Sequence, residues 1–127
     1  MRRLLPAILL LSGAAAADPH TDYMLYCRGC HLHTGEAVPS AYVPSLHELA
    51  PFLASAAGRE YLVRVPGVSQ TPISNERLAA VMNWVLAEFN ADSLPEDFEP
   101  YTADEVGAAR DKVLENPLAA REAVLRR

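Results

Sequence analysis

An all-α domain is what this sequence predicts, and three observations carry that reading. Leu78, Val81, Met82, Val85, Leu86 and Phe89 recur at i, i+3, i+4, i+7, i+8 and i+11, the stripe of an amphipathic helix. Prolines, glycines and capping residues cut the rest of the chain into short segments with helix-start chemistry. Alternating apolar and polar runs, the mark of half-buried strands, are nearly absent.

The elements follow in order. Arg2 and Arg3 precede an apolar run at residues 4–11, and Ala15-Ala16-Ala17 follows, the basic, apolar and small-residue order of a secretory signal peptide. Cleavage is expected before Asp18. An apolar run of about eight residues is too short for a membrane span, which needs about 20. A soluble mature chain over residues 18–127, exported to the periplasm, is therefore expected. It divides into a folded domain at residues 18–91 and an acidic linker with helical extension at residues 92–127.

Residues 18–20 read as a polar leader. A first helix is expected at residues 21–30, capped by Thr21 or Asp22, with Tyr23, Met24 and Tyr26 on its apolar face. Gly35, Pro39 and Pro44 make residues 31–44 a loop. Residues 46–53 carry Pro51 and read as broken helix or turn. Residues 58–65 fit a short helix or an extended segment equally well. Residues 66–72 read as a loop, and Ser74 or Asn75 caps the amphipathic helix at residues 75–89. The stretch 92–100 is acidic and punctuated by prolines, without the makings of packed structure. Thr102-Ala103-Asp104-Glu105 is a capping box for another helix. Asn116-Pro117 interrupts that helix and starts a last one. Val106, Val113, Leu114, Leu118 and Leu125 form a partial apolar stripe, expected to pack back on the domain, with docking of a partner as the alternative.

The chemistry is concentrated in Cys27-Arg28-Gly29-Cys30-His31. C-x-x-C-H is the attachment signature of c-type haem. Two thiols about one helical turn apart can reach the two vinyl groups of one porphyrin, and the adjacent imidazole can then ligate its iron. One covalent haem c on Cys27 and Cys30, with His31 as axial ligand, is the expectation. A thioredoxin-like redox pair would want a βαβ setting, which is missing, and structural zinc usually takes four protein ligands. The chain holds two cysteines in all, so a disulfide framework is not available.

With motif, proline-containing loop and late amphipathic helix in place, residues 22–89 resemble class I cytochrome c. Tyr23 stands where that family has an aromatic in its first helix, and Trp84 takes the aromatic position of the last core helix. Val43-Pro44-Ser45-Leu46 is similar to the family's Pro-x-Leu segment. The resemblance therefore implies that the Pro44 carbonyl accepts a hydrogen bond from His31, fixing the imidazole tautomer. The family's axial Met precedes the last core helix. If Ile73-Ser74-Asn75-Glu76 is the start of that helix, Val65-Pro66 falls where Met-Pro belongs, and residues 61–76 hold no Met, His or Lys. The sixth ligand is left unassigned, with Met82 and His47 as candidates; a flexible core filler and a solvated or propionate-bonded histidine are their structural alternatives. Ser69, Gln70 and Thr71 read as turn residues.

Charge bounds the partners. The chain carries 11 basic and 16 acidic residues, and losing Arg2 and Arg3 leaves nine against 16, a net of −7. That excludes nucleic acid and anionic membrane surfaces, which demand basic patches, and suits a redox partner with a basic docking face. Single-electron transfer between proteins is the expected function, without catalysis, since no nucleophile or acid–base site stands out. The alternatives are a five-coordinate haem protein that binds NO, CO or peroxide, and a small haem subunit held on a larger dehydrogenase or oxidase.

Overall fold

The computed structural model describes residues 18–39 and 43–126. The expected signal peptide at residues 1–17 lies outside the described residues. Seven helices are present among them: α1 (Pro19–Tyr26), α2 (Arg28–His31), α3 (Ala56–Arg64), α4 (Pro66–Ser69), α5 (Asn75–Phe89), α6 (Ala103–Arg110) and α7 (Pro117–Leu125). There is no strand among the described residues, and the all-α class stands. No described helix is long and apolar enough to cross a membrane.

α1 begins two residues earlier than its sequence suggests. Asp18, not Thr21 or Asp22, is the N-cap, its carboxylate accepting from the Thr21 amide at 3.1 Å. Pro19 then supplies a preset φ at the first helical position. Asp22 is released for another role: it is buried and paired with Arg77 of α5, whose Nε donates to Oδ2 at 3.0 Å. α1 and α5 cross through Tyr23, whose ring centroid lies 5.1 Å from Trp84 and 5.6 Å from Phe89. Both expected aromatic positions thus belong to the crossing of these two helices.

Around Pro51 the chain forms two 3-10 turns, Leu46–Glu48 and Ala50–Ala54, as its broken-helix reading anticipates. Residues 56–64 resolve as helix, because Ser55 is an extended N-cap accepting from the Gly58 amide at 3.0 Å. Gly58 is required there: a Cβ would stand 2.0 Å from the Phe52 carbonyl oxygen. The expected loop at residues 66–72 instead opens with one helical turn, α4, started by Pro66. α5 spans Asn75–Phe89 with Ser74 as cap.

The acidic stretch after α5 is not an unpacked linker. Leu94 and Phe98 lie against the core, and Arg59 sits over the Tyr101 ring at 4.2 Å. Asn83 clamps Tyr101 by accepting from its amide at 2.7 Å and donating to its carbonyl at 3.0 Å. Only half of the capping box forms. Thr102 Oγ1 accepts from the Glu105 amide, whereas the Glu105 carboxylate takes both forks of Arg59 at 2.8 Å. The expected apolar stripe of the extension divides. Val106 is fully buried and Leu114 packs on the core, but Val113 and Leu118 are 82% and 62% exposed, and Ala120 and Val124 pack inward in their place.

Candidate functional site: an apolar cavity at the C-x-x-C-H motif

The motif straddles a helix break. Cys27 caps α1, donating its amide to the Tyr23 carbonyl, and α2 then carries Cys30 and His31. Leu32 leaves the helix at φ 52° and ψ 177°, a region that L residues rarely adopt and that costs on the order of 1–3 kcal/mol. It is held there by the Tyr23 hydroxyl, which donates to the Leu32 carbonyl and, at 3.3 Å, to that of His31. The buried first helix thereby fixes the backbone directly after the histidine.

Cys27, Cys30, His31 and Pro44 all border one cavity. Its walls are Leu46 and Leu49 from the first 3-10 turn and the residue after it, Tyr61 and Leu62 from α3, Val65 and Val68 at α4, and Leu78, Val81, Met82, Val85 and Leu86 from α5. Cys27 is half-buried, and burial, with Asp22 and Cys30 beside it, pushes its thiol up to about 11. A nucleophilic C-x-x-C pair needs the opposite shift. No cluster of three or more His, Cys, Asp or Glu suited to a metal ion occurs among the described residues, which disfavours structural zinc as well. Burial lowers His31 from its ordinary value, with the Pro44 carbonyl opposing, so the imidazole is neutral at pH 7, the form that ligates metals. Its Nδ1 is buried with no hydrogen-bond partner among the described residues, so the expected bond to the Pro44 carbonyl is not formed here.

Two cytochromes c-552 are similar to this chain. One, from Thermus thermophilus, is 33% identical over 133 residues, covering 90% of each chain. The chain belongs to the c-type cytochromes. The second relative, also from Thermus thermophilus, is 32% identical over 106 residues, 69% of this chain and 81% of its own. No protein-family model matches the chain. The longer alignment cannot be confined to residues 18–91, so part of the C-terminal extension is shared with that relative.

A c-type cytochrome carries haem c, and the residues present suit it: an apolar cavity, two unpaired thiols on its wall and a neutral imidazole with an orphaned nitrogen. The two candidates for the sixth ligand separate. Met82 lines the cavity. His47 does not: its Nε2 lies 2.8 Å from the Thr34 carbonyl, and its ring packs edge-on to Phe89 at 5.3 Å. Val65 and Val68 bring no ligating atom, and Thr71, though it borders the cavity, spends its hydroxyl on the Gly67 carbonyl at 2.7 Å. Two other contributors carry no mark in the sequence. Arg110 ties α6 to the segment between α4 and α5, donating to the carbonyls of Ser69, Thr71 and Ile73, and Arg121 of α7 reaches the cavity. Both stand in short, Ala-rich helices where an arginine reads as solvated surface.

Proposed function

We propose that this electron carrier works outside the cytoplasm with one haem, bound covalently through Cys27 and Cys30 and ligated axially by His31. The observation that carries the reading is the convergence of both thiols and a neutral, half-buried imidazole on one apolar cavity. The haem supplies a one-electron ferric/ferrous couple. The chain's own residues do the rest. The thiols anchor, and His31 presents a neutral nitrogen, with the Pro44 carbonyl opposing the effect of burial on the imidazole. The apolar walls exclude water. Leu25, Tyr26 and Leu32 flank the motif as exposed apolar residues, a rim suited to transient contact with another redox protein, and the net charge of −5 favours a basic partner face. Met82 is the one thioether on the cavity wall among the described residues, which supports it as the sixth ligand.

Two measurements test this. Haem should survive a denaturing gel in the exported protein, and should be lost in a Cys27→Ser, Cys30→Ser double variant; a colourless wild-type band would overturn the assignment. The ferrous protein should be low-spin and inert to CO, and Met82→Leu should make it high-spin and CO-reactive. A wild type that binds CO at once, with a spectrum unaffected by Met82→Leu, would instead establish the open-site reading that Val65 and Val68 favour.

A further inference from the structure

We propose that Arg121, on the C-terminal helix, binds the carboxylate edge of the haem, so that the extension completes the cofactor site; this rests on the reading of the cavity as a haem site. Haem is amphipathic, an apolar macrocycle with two propionates on one edge. The cavity has matching character: its walls are apolar, and Arg121 is the one Lys, Arg, Asp or Glu that borders it among the described residues.

Arg121 is half-buried, and its guanidinium lies over the Phe52 ring, 4.8 Å from the centroid. Phe52 is fully buried and stacks on Tyr61 of the cavity wall, the rings 5.2 Å apart and inclined by 18°. Stacking on an immobile aromatic face removes much of the freedom an arginine otherwise loses on binding. Yet the guanidinium makes no hydrogen bond or salt bridge to any described residue. Arg59, Arg64, Arg77 and Arg126 each hold a carboxylate and Arg110 holds backbone carbonyls, while Arg28, likewise without a partner among the described residues, is exposed and does not border the cavity. A pre-positioned, unspent fork at the border of an apolar cavity fits a carboxylate group presented from inside it. The competing explanation is an arginine stem that covers apolar surface while its head stays in water.

The test uses the haem-loaded protein and its Arg121→Gln, Arg121→Lys and Glu122→Gln variants. The readouts are the midpoint potential and the propionate-bending bands of the resonance Raman spectrum. A guanidinium beside the haem disfavours the more positive ferric state. Arg121→Gln should therefore lower the potential and move a propionate band. Arg121→Lys, which keeps the charge and loses the fork, should move the band with the potential held near wild type. Glu122→Gln, one residue along α7, should leave the band in place. Unmoved bands and potential in Arg121→Gln would overturn the proposal. Should Arg121→Gln lose helicity, Arg121→Lys decides in the same way: a moved band supports the contact and an unmoved one overturns it. A wild type without haem would remove the underlying reading and this inference together, whereas a haem-loaded protein indifferent to Arg121 would remove the inference alone.

Discussion

Tyr23 connects helix packing to the C-x-x-C-H motif through a single hydroxyl. It is fully buried, and its donor holds the carbonyls of His31 and of Leu32 with its positive φ. Tyr23→Phe keeps the ring contacts with Trp84 and Phe89 but frees those carbonyls, which should cost about 1–2 kcal/mol in urea unfolding. Burial also pushes the Tyr23 hydroxyl up to about 12 and raises that of Tyr101. Between the ordinary value near 10 and these raised values, the folded protein keeps protons that the unfolded chain has released. The tyrosine contribution to stability should therefore be constant below about pH 10 and be lost as pH climbs through 11 and 12, with a smaller fall in Tyr23→Phe. Urea midpoints at pH 8, 10 and 11 check the slope. At this scale the sequence was legible where chemistry is local, as in the caps at Ser74 and Thr102 and the helix start at Pro117. It misled at Asp22, because a carboxylate that can cap a helix can also pair with an arginine 55 residues away.

Among the elements, α6 acts on the cavity without touching it. Arg110 donates to three carbonyls and to Asn75 Oδ1 at 2.9 Å, pinning the segment that joins α4 to α5. Arg110→Ala should leave those acceptors to water and destabilise the fold by about 2–3 kcal/mol. Faster amide exchange is expected at residues 69–73 ahead of the rest of the chain; exchange measured by mass spectrometry would show it, and uniform exchange would mean the clamp is not local. The sequence left residues 58–65 open between helix and extended chain because its apolar positions fit both. The Ser55 cap and the close approach of Gly58 to the Phe52 backbone decide for helix.

For the whole molecule, the boundary expected at residue 92 has no physical counterpart. Tyr101, Val106 and Ala109 are in the core, and Tyr101 donates to the Arg59 carbonyl at 3.0 Å. If the extension were a docking arm, deleting residues after Leu94 would abolish association and spare the haem domain. With those side chains in the core, the same deletion should abolish cooperative thermal unfolding, since losing each large buried side chain costs about 2–5 kcal/mol against a total of about 5–15. Calorimetry of the truncated chain checks this, and a retained sharp transition would restore the separate-domain view.

By itself the sequence determined the helical class and the long helix α5, because periodicity and caps are set by neighbours along the chain. Tertiary structure decided which side chains share the cavity. Met82 and His47 read alike as lone candidate ligands, yet one faces the cavity and the other turns to Thr34 and Phe89. Arg121 reads as surface charge and reaches the cavity only because α7 packs on α3 and the turn that carries Phe52. Such placements depend on contacts between segments far apart in sequence, and no local pattern encodes which face of a short helix another segment will cover.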